Sequence, residues 1–366
     1  MLTGMSAYSS LTGTAMADSW PMARVMAGMS AVPVGHAIDL AFFFPAGDHV
    51  SHDALIAETR RHLGGCVAAI ETALRLSLDH VPGVTAALDR APAPLGWPSI
   101  RAQPTLLGPA LLAHMQMRAG VTLMLRQFGQ ADVEQLDDAA SSLLPTTADA
   151  LLGESLAGLA LAEGRWIGLG GEDMPMRPDL PAEYFAELVW TVAACLAAVA
   201  QRAMPEGVDG LLAAFERSGW ALLADHDEDA SPIAHASRLV RRMGEAADNP
   251  ELMGVALAQR RFLLFAALAA HRLRMDVVQV IDMLVVGPVG QVATLCRALG
   301  GSDADYRHLL LALRPVRPSL SDALIVVESA RYQGLSEGQA DATVSALRAP
   351  AAFRAKLDHL RAVAQP

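Results

Sequence analysis

The chain has 366 residues, 52% of them hydrophobic, 18% charged and 5% aromatic, with a formal net charge of -11. So much apolar content excludes global disorder, and the dominance of Ala and Leu over aromatic and β-branched residues argues against a mostly β protein. The acidic balance makes the chain a poor general binder of nucleic acid or of anionic membrane.

Residues 1–33 hold Ser, Thr, Gly and six Met around a single base, Arg24. No basic segment leads into an apolar one, so they read as a flexible leader or an overextended start and not as a signal peptide. An N-terminal helical section is expected over 34–92, with helices near 36–43 and 52–80. In the second, Ile56, Thr59, Leu63, Val67, Ile70, Leu74 and Leu78 step by three and four along one face. Glu58 and His62 share a face of the same helix, four apart, and Gly83 reads as a helix stop. His52-Asp53 is similar to the paired ligands of HD-type phosphohydrolases, although the further His and Asp of that site cannot be assigned.

A Pro-rich loop over 91–105 separates this section from a helical-repeat-like domain over 106–366. Helices are expected there near 106–128, 147–164, 182–204, 208–225, 232–247, 250–273, 275–298, 303–313, 319–333 and 337–362. Ser231-Pro232, Asn249-Pro250, Ser302-x-x-Asp305 and Ser336-x-x-Gln339 supply helix starts. Gly287-Pro288 should split the helix that contains it. The pattern is all-α: antiparallel helical hairpins forming a HEAT-like partial solenoid with a period of ~40–47 residues.

No motif specifies a reaction. Gly168-Leu-Gly170-Gly171 lacks the third Gly and the preceding strand of a dinucleotide fingerprint. Asp225-His226-Asp227-Glu228-Asp229 lacks the spacing of a calcium loop and reads as a solvated turn. Trp166, Trp190 and Trp220 read as core anchors. Cys66, Cys195 and Cys296 are too few and too far apart for a disulfide framework or a zinc site, and each lies in an apolar stretch, which fits a reducing cytoplasm. The most apolar run, Leu188 to Ala200, is shorter than the ~20 residues of a membrane span and reads as a buried helix. No catalytic residue, metal or cofactor is assigned.

Charge is segregated along the chain. Twelve carboxylates face three arginines between Arg126 and Trp190, whereas Arg238, Arg241, Arg242, Arg260, Arg261, Arg272 and Arg274 face three carboxylates between 238 and 274. Such a basic stretch in an acidic protein suits an acidic partner, either another protein or the acidic segment of a second copy. The alternative is that these arginines pair with neighbouring helices and lay their stems on apolar surface.

Three stretches of the C-terminal half carry a resemblance: Asp179-Leu-Pro-Ala-Glu-Tyr-Phe-Ala-Glu-Leu-Val-Trp190, the run Leu252 to Leu273 with its Arg260-Arg261-Phe262 break, and Met275 through Gly287-Pro-Val-Gly290 to Gly300. Over about 180–350 the chain resembles a bacterial family known only as domain of unknown function 2336. That resemblance implies an all-α, HEAT-like domain and supplies no catalytic residues. A non-catalytic cytoplasmic interaction or regulatory protein is favoured. A helical metal-dependent phosphohydrolase centred on His52 and Asp53, or a helical small-ligand sensor, is the alternative.

Overall fold

The computed structural model describes residues 54–91, 94–129, 150–168, 170–203 and 208–349, with 353–354, 356–357 and 360–361 beyond them. The leader, the helix expected at 36–43, His52 and Asp53 lie outside the described residues. Among those described there are fifteen α-helices and no strand. The chain divides into two compact units: the described residues within 37–122 and 154–235 form one, and those within 123–153 and 236–366 the other.

The first unit is built on α1 (Ala54–Leu78). The stripe read from the sequence is the face that it buries: Leu63, Val67, Ile70, Leu74 and Leu78 lie in one core. α2 (Pro82–Asp89), α3 (Gly96–Ala102), α6 (Ala182–Ala203) and α7 (Val208–Ala224) pack on it. α4 (Pro109–Gly129) starts from the same core, to which it adds Leu111, Leu112 and Met115, and α5 (Ala150–Ile167) ends on the buried Trp166. α6 is long and apolar enough to cross a membrane by length and composition. In the fold, nine of its 22 residues are buried, among them Leu188, Val192 and Leu196, which sit in the core with α1 and α7.

Two expectations fail in this unit. Gly83 does not stop a helix: Pro82 at the first position starts α2, because its missing N–H falls where no intrahelical bond is made. The loop expected at 91–105 contains α3, whose backbone is anchored by Glu71 of α1. That buried carboxylate accepts from the N–H groups of Leu95 (3.0 Å) and Gly96 (2.7 Å) and fills the place of a capping side chain.

The second unit runs through short helices. α8 (Pro232–Met243) enters it and continues as a 3-10 turn over Gly244–Asp248, and α9 (Glu251–Ala258) packs on α10 (Phe262–Leu273). The helix expected over 250–273 is therefore two, broken at 259–261. α11 (Val277–Val285) and α12 (Val289–Ala298) are separated at Gly287-Pro288, as the proline requires. α13 (Asp303–Ala312) and α14 (Asp322–Gln333) form a hairpin, and α15 (Glu337–Leu347) packs on α12. The signalled starts are real caps: Ser302 with Asp305 and Ser336 with Gln339 form complete capping boxes, and Ser231 and Asn249 accept from the N–H groups of Ala234 and Glu251.

Candidate functional site

The seven arginines fall at helix ends. Arg241 and Arg242 are exposed in the last turn of α8, with Arg238 half-buried one turn earlier. Arg260 and Arg261 make the exposed corner between α9 and α10, and Arg272 and Arg274 close α10 at its other end, about 18 Å away for a helix of this length. The 3-10 turn after α8 packs on α10, and Asp248 at its end lies 3.3 Å from His271. Among the described residues, Arg241, Arg260, Arg261, Arg272 and Arg274 have no ion-pair partner.

Two of these arginines have an unusual backbone. Arg260 has φ of 60° and Arg274 of 52°, the only non-glycine residues with positive φ among those described. Both occupy the position after a helix that glycine normally fills. At α9 the N–H of Arg260 donates to Leu257 and that of Arg261 to Ala256; at α10 the N–H of Arg274 donates to His271 and that of Met275 to Ala270. Gly300, with φ of 80°, makes the same closure after α12. An L-residue with a Cβ is disfavoured there by about 1–2 kcal/mol.

The acidic stretch is arranged differently. Asp132, Glu134, Asp137, Asp138 and Asp149 lie outside the described residues. Of the others, Glu187, Glu172 and Asp179 are engaged within the first unit. Glu187 accepts from the N–H of Gly108 at 2.5 Å. Glu172 pairs with Arg60 at 2.9 Å and accepts from the Trp97 indole at 2.9 Å. Asp179 is buried between Arg177 (3.2 Å) and Arg165 (3.5 Å) and accepts from the Trp166 indole at 3.2 Å.

Asp179 belongs to a buried polar cluster that sequence reading saw only as Glu58 and His62 on one face. Nε of Arg61 donates to Glu58 at 2.9 Å, and Nε2 of His62 lies 3.1 Å from the same oxygen and 2.9 Å from the Thr122 hydroxyl. Arg118, fully buried on α4, donates to the Arg177 carbonyl and lies 4.6 Å from the Trp166 ring centroid. Burial alone would raise the Glu58 carboxyl, but the bonds from His62 and Arg61 hold it at about 2. Burial pushes His62 down to about 3, with Arg118 and Arg61 adding to the effect. Burial likewise raises the Cys66 thiol, so it stays protonated. The cluster ties α1, α4 and α5 to the segment around Arg177 and Asp179. The signal available beforehand was the concentration of charges on faces that are otherwise apolar.

Trp220 corrects another expectation. Trp166 is a core residue, but Trp220 is 59% exposed, with the half-buried Trp190 edge-on at 5.2 Å. The Trp190 ring lies where a Cβ on Gly219 would be, only 2.5 Å off. Asp225, Asp227, Glu228 and Asp229 are exposed as expected of a solvated turn, with Glu228 accepting from the N–H of Ala182, but His226 among them is half-buried. The three cysteines are unpaired and buried.

One comparison bears on identity. Residues 171–345 match a family model described as an uncharacterised protein conserved in bacteria, DUF2336. The match covers just under half of the chain, and that stretch is similar to the DUF2336 family. No curated protein and no solved structure matches the chain. The DUF2336 region contains all seven arginines, together with Arg177 and Asp179, whereas Glu58 and His62 precede it.

Proposed function

We propose that the chain is a non-catalytic, cytoplasmic interaction or regulatory protein whose DUF2336 helices, stacked as HEAT-like hairpins, dock an acidic protein partner or a second copy through the arginines of 238–274. The observation that carries this reading is the pair Arg260 and Arg274. Each holds a left-handed backbone where glycine costs less, each is exposed, and neither has an ion-pair partner among the described residues. Backbone strain kept at a surface position is a common mark of function. The engagement of Glu172, Asp179 and Glu187 inside their own unit favours an acidic partner over the acidic segment of a second copy.

The test is self-association by light scattering, and capture of a polyglutamate probe, at 0.1 M and 1 M salt, where the Debye length falls from ~10 Å to ~3 Å. Binding should weaken at high salt and in Arg241→Glu/Arg242→Glu and Arg260→Glu/Arg261→Glu. Arg274→Gly should separate the two roles: it stabilises the fold by about 0.5–1 kcal/mol while weakening binding. Association that ignores salt and charge reversal makes these arginines an ordinary solvated surface.

A further inference from the structure

The first unit contains a cleft that the arginine surface does not use. Its volume is about 210 Å³. Drug-sized sites run to ~300–1,000 Å³, so any occupant is small. At ~30 Å³ per water the space holds about seven waters, or a molecule of roughly nine close-packed heavy atoms. Ile70 and Ala73 of α1, Phe185 of α6 and Leu222 of α7 give it apolar walls.

Opposite charges line the same cleft. Arg177 presents the cation. Its carbonyl accepts from Arg118 at 3.2 Å, and Nε of its half-exposed guanidinium lies 3.2 Å from Asp179, while both terminal NH₂ groups have no partner among the described residues. Two exposed carboxylates line the cleft as well: Asp225, likewise without a side-chain partner among those residues, and Asp227, whose Oδ1 accepts from the N–H of Asp229. Asp225 directly follows α7, whose last turn carries no base. A carboxylate at a helix C-terminus adds to the negative end of the helix dipole, so this side of the cleft attracts a cation. His226 also lines the cleft, stacked on Phe185 at 3.8 Å and 15°. Its Nε2 lies 2.8 Å from the Leu180 carbonyl, to which it donates.

We propose that this cleft binds a small zwitterion with an apolar tail, an aliphatic α-amino acid of leucine size. The carboxylate pairs with the Arg177 fork, the ammonium sits at Asp225 and the α7 terminus, and the side chain fills the space between Ile70, Phe185 and Leu222. The Arg177 guanidinium and the Asp225 carboxylate, the lining carboxylate that no side-chain hydrogen bond engages among the described residues, match the two charges of that ligand, and neither single-charge half of it would satisfy both. The proposal does not rest on the arginines of 238–274.

Calorimetric titration of the full chain with L-leucine, 4-methylpentanoate and 3-methylbutylamine tests it. L-leucine should bind saturably at one site with Kd at or below about 1 mM, and each single-charge analogue about ten-fold or more weakly. Arg177→Met and Asp225→Asn should each reduce leucine affinity about ten-fold, and Leu222→Trp should abolish it by filling the cleft. Melting curves without ligand identify any variant that fails to fold, and the wild-type titrations decide independently of them. The proposal is overturned if leucine does not saturate, if an analogue binds as tightly, or if folded variants bind like the wild type.

Discussion

His62 and His114 are the residues at which burial and proton chemistry meet most directly. His62 is wholly buried against Glu58, Arg61 and Thr122, and His114 packs on Tyr184 with ring centroids 4.9 Å apart. Burial lowers each from 6.5 to about 3, Arg118 reinforcing the shift in both. Below pH 6.5 the unfolded chain therefore takes up protons that the folded chain refuses until about pH 3. Stability from these two groups is complete above 6.5 and is lost as pH falls, at about 1.4 kcal/mol per pH unit for each. Glu58, held at about 2 against its ordinary 4.5, adds a further loss below pH 4.5. His114→Leu keeps the packing and removes one titration. Urea unfolding at fixed pH between 6 and 4 should show a slope shallower by about 1.4 kcal/mol per unit, and an unchanged slope would place the acid sensitivity elsewhere.

At the scale of elements, α1 is held to the 172–176 segment by an approach that only glycine permits. A Cβ on Gly64 would lie 2.1 Å from the Glu172 carbonyl oxygen, and one on Gly65 would lie 2.8 Å from the Met176 Cβ. The Met176 N–H then donates to the Gly65 carbonyl at 2.9 Å, and Glu172 reaches Arg60 and Trp97. Both glycines cost helix propensity, and the contact they allow offsets that cost. Gly64→Ala meets backbone, which cannot rotate away, so it should destabilise the chain by about 1–3 kcal/mol despite its better helix propensity. Thermal unfolding of Gly64→Ala beside Gly153→Ala, where a Cβ meets nothing within 4 Å, separates packing from propensity. If both variants gain stability, the close approach contributes nothing.

For the whole molecule, the two units should answer acid in opposite directions. In the second unit, burial raises Asp282 to about 6, with Arg317 pulling the other way. A folded carboxyl above its ordinary 3.8 stabilises the fold when protonated. That contribution is present below 3.8 and is lost as pH rises through 6. Between pH 7 and pH 5 the first unit loses the His62 and His114 contributions while the second regains that of Asp282. Hydrogen exchange corrected for intrinsic rates should show reduced protection in peptides over 58–66 and 111–122 at pH 5, and equal or greater protection over 277–285. Parallel loss in both would show that one group dominates the whole chain.

The amino-acid sequence by itself determined the helices and their capped starts. The reason is local: a three-and-four stripe such as Ile56 to Leu78, a capping serine or a Gly-Pro break acts within one or two turns and needs no partner to be read. It also marked the DUF2336 resemblance and the basic 238–274 segment, because both are properties of linear order. Tertiary structure decided what depends on a neighbour. α3 escaped detection because its cap is Glu71, 25 residues upstream. Trp220 escaped because a tryptophan was read as core by its type, although Glu216 and Arg217, four and three residues before it on the same face of α7, are exposed with it. The cluster of Glu58, Arg61, His62, Arg118 and Asp179 joins residues up to 121 positions apart, and the cleft at Arg177 and Asp225 joins α1, α6 and α7. Burial and charge pairing exist only once those segments meet, and it is there that the pKa values and the candidate ligand site arise.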